Sequence, residues 1–466
     1  MKVKSLGQVF TPQNIVHDIL DLAKYRENIL KKHIIDNSCG NGAFLKEIVK
    51  RYVEEYKKEK GSTEGIEKEL EQYIHGIEID KKIYNDCIEN LDNLRKELNL
   101  NKIKWDIVHD NALLVKKFND KMDYVVGNPP YVRIHNLEEQ LKETKKQEFC
   151  DKGMADLYIA FFEIGFEMLK EDGTLCYITP NSFYNSIAGR KLREYIKETK
   201  TLETIMDLGH FQPFSVNTYT TISKFTNGVK HENCEYYKYN LNTGRPEYIC
   251  NIEYQKLFIN NNIILNENNN RYINILNYST ENPIVTVKNA FATLGDKIFI
   301  SNNFDFNSNT IDIIKASTGE WKKCIYPYDE NGRIIPFEDL GEKEQQYLLK
   351  NEEDLKKRSL EKRASWYGFG RSQAIKDVQK NKICINTTIK DIDSIKISEV
   401  AGGQGIYSGL YMLTDIPVQN IKEALLSDDF IEYIKVINKC KSGGYYTFST
   451  NDLFKYINYK MEERYG

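Results

Sequence analysis

The stretch VVGNPPYVRI, Val125 to Ile134, sets an amide, two adjacent prolines and an aromatic ring directly after an apolar run. The chain holds ten prolines in 466 residues, so two side by side at a strand end call for a reason. The Asn128 side-chain oxygen and the Pro129 carbonyl are two hydrogen-bond acceptors on a backbone stiffened by proline rings. Acceptors fixed in this way can grip both N–H bonds of one amino group with little loss of entropy. The exocyclic amine of adenine is a poor nucleophile because its lone pair is delocalised into the ring. Holding both N–H bonds turns that nitrogen toward tetrahedral geometry and frees the lone pair for attack. Tyr131 can stack on the base. No carboxylate base is needed, because the amine can lose its proton after transfer. Asn128, Pro129, Pro130 and Tyr131 are therefore the candidate catalytic residues, against the plainer alternative of a rigid turn.

Three acids point to the donor. Asp36 ends an apolar run and is followed by NSCGNGAFLKEI, where Gly40 and Gly42 allow a tight turn and close approach of a ligand. A carboxylate there repels a pyrophosphate but suits the ammonium of a methionyl group. Glu78 ends the next run, GIEID, and can accept hydrogen bonds from both hydroxyls of a ribose. Asp110 ends the third, VHDNA, and can accept from an adenine amino group. Each acid alone reads as a helix cap or a solvated strand end. Taken in order, they accept an amine, a ribose and an adenine, the parts of S-adenosylmethionine.

The elements that must position these residues follow from the apolar pattern. Runs at 33–36, 73–79, 102–109, 122–128 and 173–180 read as buried strands, and AFLKEIVKRYVEEY and DLYIAFFEIGFEMLKE read as helices between them. Such alternation predicts an α/β fold with a mainly parallel sheet covered by helices on both faces. Ligands of such sheets lie beyond the carboxyl ends of the strands, where all the unusual residues fall. The charged segment from Glu54 to Gln72 is expected to extend a helix as surface decoration. From about residue 228 the texture changes to short apolar runs, tyrosines and glycine turns, with an Asn-rich stretch at 261–277. The expected division is a catalytic domain over 1–228 and a mixed α/β domain over 229–466, with the boundary between 228 and 280.

Bulk properties narrow the class. Hydrophobic residues make up 41% and charged residues 29%, the balance of a globular chain, and the net charge of −3 leaves nucleic-acid binding to local patches. Nine cysteines without a CxxC pair and seven histidines without ligand spacing predict no metal site and a reducing, cytoplasmic setting. Neither a membrane span nor a signal peptide is expected.

With these motifs in this order, the chain resembles the gamma class of DNA N6-adenine methyltransferases of restriction–modification systems. In that class the cofactor motifs come first, NPPY next and the target-recognition domain last. The resemblance implies a Rossmann-like class I methyltransferase domain that acts on double-stranded DNA with S-adenosylmethionine. It further implies a flipped-out target adenine, a monomeric enzyme and a separate cognate restriction endonuclease. Phe10, Thr11 and Pro12 match the segment that closes the cofactor site, with a helix starting at the Thr-Pro. Asp36, Ser38, Cys39 and Gly40 match the glycine loop, where Asn37 replaces a common proline and is expected only to loosen the turn. Glu78, with Ile79 beside it, and Asp110 match the ribose- and adenine-binding positions. Asp156 in ADLYIAFFE matches a residue that approaches the cofactor. DLGHFQPFSVNTYTTI resembles the motif carrying a second aromatic opposite Tyr131. Phe214 is the choice, Phe211 the alternative, and a core ring the plainer reading of either.

In the second half, SWYGFGRSQAIKD (365–377) and KSGGYYTFSTNDL (441–453) resemble short signatures of recognition domains. Arg371 could contact phosphate or a guanine edge. Lys356, Lys357, Arg358, Lys362 and Arg363 form a cationic run that is either a DNA contact, through Lys357 and Arg363 above all, or a solvated helix face. Methylation of RNA adenine, methylation of protein glutamine and an inert DNA-binding specificity protein are the rival readings. The intact NPPY and the set of acids argue against the last.

Overall fold

The computed structural model describes residues 11–132, 141–150, 156–214, 218–265, 269–362 and 364–465. Phe10 and Arg363 lie outside the described residues. Two compact units divide the chain, Met1–Asn269 and Asn270–Gly466.

The first unit is built on one nine-stranded sheet. Its strands are β1 (Ile34–Asp36), β2 (Ile74–Glu78), β3 (Asp106–His109), β4 (Met122–Gly127) and β5 (Leu169–Pro180). They are followed by β6 (Leu202–Asp207), β7 (Thr220–Thr226), β8 (Asn233–Asn240) and β9 (Arg245–Glu253). The order across the sheet is β3-β2-β1-β4-β5-β7-β6-β8-β9. Pairing is parallel from β3 through β5, while β7 runs antiparallel between β5 and β6, and β9 antiparallel to β8. The expected parallel sheet thus forms the half that carries the motifs, and a reversed strand interrupts it beyond β5.

Alternation along the strands builds two apolar layers, because successive side chains of a strand point to opposite faces. Ile35, Val125, Leu175 and Tyr177 pack on one side with α6 (Leu157–Met168) and α7 (Arg190–Thr199). Ile34, Val126, Cys176 and Ile178 pack on the other with α1 (Gln13–Leu22), α2 (Ala43–Lys60), α3 (Ile66–Tyr73) and α4 (Lys81–Glu97). A short α5 (Leu141–Thr144) precedes α6. Pro12 stands just before α1, and its carbonyl accepts from the Ile15 and Val16 amides at 3.1 Å. The buried Ile15, Val16, Ile19 and Leu20 then form one apolar stripe. Asp80 caps α4 by accepting from the Lys82 and Ile83 amides. The charged segment after Glu54 resolves into the end of α2, closed by Gly61 in a left-handed conformation, and the separate helix α3.

The unit continues past residue 228. β8 and β9 pair as a hairpin that extends the sheet, and the break between the compact units falls at 269/270. The second unit is mixed α/β. One four-stranded sheet has the order Thr286–Asn289, Leu410–Leu413, Lys382–Ile385, Ile397–Val400. A second contains Ile300–Ser301, Glu320–Ile325, Thr310–Lys315 and Gly405–Tyr407. No helix among the described residues is long and apolar enough to cross a membrane.

Candidate active site

Asp36, Ser38, Cys39, Gly40, Glu78, Ile79, Asp110 and Asn128 lie at or just past the carboxyl ends of β1 to β4, because parallel strands bring their ends to one edge. Asp36 is buried at the end of β1, where its Oδ1 accepts the Ser38 amide at 3.1 Å. Burial, with Glu78 nearby, pushes its carboxyl up to about 7, against the opposing pull of that amide. A Cβ on Gly127 would lie 2.7 Å from Asp36 Oδ1, so the residue before Asn128 has to be glycine for β4 to pass this carboxyl. That constraint is readable in VVGN only once the strand order is known.

Glu78 joins two loops. Its Oε2 accepts the Gly40 amide at 3.0 Å and its Oε1 the Asp80 amide at 2.8 Å, leaving acceptor capacity on both oxygens. Burial raises its pKa against those amides. Gly40 takes φ +54 and has open space where a Cβ would stand, so the loop surface there is bare backbone. Asp110 is exposed, its amide donating to the Glu78 carbonyl at 3.2 Å, and Ile79 presents a 39% exposed apolar side chain beside both. An acid, a bare glycine loop, a second acid, an exposed aliphatic and a third acid therefore lie in sequence along one sheet edge. This set fits an ammonium, a ribose and a flat base.

Two candidates are placed otherwise than their motif suggests. Cys39 turns its thiol into the core against Cys87, which with burial pushes its pKa up, so only its backbone reaches the loop. Asn37 faces inward from the turn. It is buried, with Nδ2 3.8 Å from Sδ of Met168, the last residue of α6.

At the end of β4, the Asn128 carbonyl accepts from Ser38 Oγ at 3.3 Å, tying the two loops together. Asn128 Nδ2 donates to Thr11 Oγ1 at 3.0 Å, across 117 residues of sequence. That bond tethers the amide at the end of β4. Thr11, expected at the cofactor by family likeness, thus touches the amide of Asn128. Thr11→Val is expected to lower kcat about tenfold at unchanged cofactor affinity, with Thr11→Ser restoring it. A weakened cofactor affinity at unchanged kcat would return Thr11 to the cofactor. The Tyr131 hydroxyl donates to the Ile178 carbonyl of β5 at 3.2 Å, and its ring lies 6.2 Å from that of Phe214 with the planes at 78°. Phe211 instead stacks on Tyr239 at 5.1 Å. Phe214 is thus the ring brought to Tyr131, edge toward face, an arrangement that favours one stacking face and one edge contact over a parallel sandwich. Asp156 stands before α6, whose Leu157 amide donates to the Val132 carbonyl at 2.9 Å, next to NPPY.

In the second unit two members of the cationic run pair with acids. Lys356 pairs with Glu352 at 2.6 Å and Lys357 with Asp354 at 2.9 Å. Arg358 turns inward and donates to the carbonyls of Thr293, Trp366 and Gly368. Arg371 folds back on the Ser359 carbonyl at 2.7 Å.

Residues 20–214 match the family described as Eco57I restriction-modification methylase. The type II methyltransferase M.BstVI of Geobacillus stearothermophilus is 31% identical over 220 residues, 45% of this chain and 39% of that relative. The type II restriction enzyme and methyltransferase RM.Eco57I of Escherichia coli is 25% identical over 385 residues, 68% of this chain and 38% of that relative. The chain thus spans about two fifths of the curated relatives it matches. Among solved structures, the type IIL restriction-modification enzyme MmeI in complex with DNA superposes with a TM-score of 0.63 at 14% identity, over 95% of this chain and 64% of that one. This last likeness is one of fold. Residues 20–214, which carry the residues at the sheet edge, are thus similar in sequence to restriction-modification methylases of the Eco57I family.

Proposed function

We propose that the protein transfers a methyl group to the N6 amine of an adenine flipped out of double-stranded DNA, with S-adenosylmethionine as donor. The observation that carries this reading is the Asn128 amide, locked by Thr11 at the end of β4 and next to the buried Asp36. Asp36, Glu78, Ile79 and Asp110 would hold the cofactor by its ammonium, ribose and adenine. Bound there, S-adenosylmethionine supplies an electrophilic methyl group. Asn128 Oδ1 and the Pro129 carbonyl accept the two N–H bonds of the target amine and free its lone pair. Tyr131 offers its ring to the extruded base while its hydroxyl stays anchored on β5, and Phe214 closes the side. Flipping brings the amine to the strand ends, since a stacked base cannot reach them.

The substrate class is tested by incubating the protein with labelled S-adenosylmethionine and, separately, unmethylated genomic DNA, RNA and a mixed protein substrate. Label entering DNA alone is expected. Label entering only RNA or protein would overturn the reading. With a fluorescent base analogue at the target, emission should rise on binding, and Tyr131→Ala should change that rise by removing the stacking face. An identical signal from both proteins would refute a stacking role for Tyr131.

A further inference from the structure

The hairpin of β8 and β9 lies past all the motifs of the first unit, yet it reaches back to both sides of NPPY. Tyr239, next to last in β8, is buried, and its hydroxyl donates to Asp18 Oδ2 in the middle of α1. Burial raises the Asp18 carboxyl, while the Tyr239 hydroxyl and the charge of Arg245 in β9 draw it back down. The same Tyr239 ring carries Phe211, stacked at 5.1 Å with the planes 19° apart. Gly244, in the turn of the hairpin at φ +62, also comes against Phe211, since a Cβ there would lie 3.4 Å from Phe211 Cε2.

Each contact continues to the candidate site. The first runs through α1, a helix of ten residues with Thr11 just before it, whose Oγ1 meets Asn128 Nδ2 at 3.0 Å. The buried stripe of Ile15, Val16, Ile19 and Leu20 presses α1 onto the sheet, but apolar packing is non-directional and sets its position along the axis only loosely. Polar ties run to α2, from Gln13 and His17 to Glu47 and from Asp21 to Arg51. The Tyr239 hydroxyl ties the helix to the sheet itself. The second path runs through Phe211, whose amide donates to the Leu208 carbonyl at 2.8 Å. Pro213 then stiffens the step to Phe214, and the Phe214 ring meets Tyr131 at 6.2 Å.

One side chain thus braces the segment that tethers the Asn128 amide and the segment that faces the Tyr131 ring. A reacting centre loses rate when its groups shift by a fraction of an ångström, so a brace between them acts on transfer without touching the substrate. We infer that Tyr239 is a positioning residue for methyl transfer, and that the hairpin fixes the amide-gripping half of the target site against the ring-stacking half. The inference rests on the proposed roles of Asn128 and Tyr131, whichever polymer carries the amine.

The test is a double-mutant cycle read by single-turnover transfer at saturating S-adenosylmethionine, with calorimetric cofactor binding and Tm alongside. Tyr239→Phe keeps the ring on Phe211 and removes the bond to Asp18, and should lower the transfer rate about fivefold at unchanged cofactor affinity. Asp18→Ala should match it, and the two changes together should cost no more than either alone. Asp18→Asn keeps an acceptor and should restore most of the rate. In a Thr11→Val background Tyr239→Phe should have no further effect, because its path to the amide is already cut. Tyr239→Leu removes the stacking face as well, and should also change the emission of a base analogue at the target. A native rate in Tyr239→Phe, or losses that multiply in the Thr11→Val background, would overturn the inference whatever happens to Tm. Label entering RNA or protein with the cycle intact would sink the DNA substrate alone. Label entering DNA with independent losses would sink the brace alone.

Discussion

Asn128→Ala should lower kcat for methyl transfer about a hundred- to a thousandfold while leaving cofactor affinity close to that of the native protein. The magnitude is that of removing one preorganised polar partner from a reacting centre. The split follows from the geometry. The Asn128 side chain meets Thr11, and its backbone carbonyl meets the glycine loop through Ser38. Alanine keeps that carbonyl and deletes the acceptor for the target amine. Single-turnover transfer under saturating cofactor, with calorimetric binding of S-adenosylmethionine alongside, separates the two quantities. Turnover within a few-fold of native would mean that the amine is not gripped by Asn128.

The second large effect concerns Asp36 and pH. Its carboxyl sits at about 7 in the ligand-free protein, raised by burial above its ordinary 3.8. Below 7 the group is mostly protonated and cannot pair with an ammonium until the proton leaves. Cofactor affinity should therefore rise about tenfold per pH unit as pH increases toward 7, then level off. The sign for stability is consistent with this. An acid raised on folding contributes fully below 3.8, and that contribution is lost as pH rises through about 7. The rise in Tm produced by S-adenosylmethionine should accordingly grow from pH 5 to 7. Asp36→Asn should weaken cofactor binding about ten- to a hundredfold at pH 8 and flatten the pH profile. A native affinity independent of pH between 5 and 7 would show that Asp36 does not receive the ammonium.

The edge of the sheet was legible in the sequence because its residues end short apolar runs. Acid after apolar run, three times over, identifies strand ends in a parallel sheet whatever the exact bounds. The reversal at β7 and the hairpin of β8 and β9 were not legible. NCEYYKYN alternates polar and aromatic residues without a long apolar run, and its partner β9 is largely exposed. The direction of the Cys39 side chain and the burial of Asn37 depend on how the loop packs beneath α6, which no local pattern encodes. The ion pairs of the cationic run could have been read from spacing. Glu352 and Asp354 stand four and three residues before Lys356 and Lys357, the separations at which helical side chains meet. Arg358 has its partners in loops that close around it only in the folded unit.

The most direct measurement is the identity of the methylated base. After reaction of the protein with S-adenosylmethionine and unmethylated genomic DNA, complete digestion and mass spectrometry of the nucleosides should show N6-methyladenine, lost in Asn128→Ala. Methyl groups found on cytosine, or none on DNA at all, would contradict the claim that Asn128 and Pro129 hold an adenine amine.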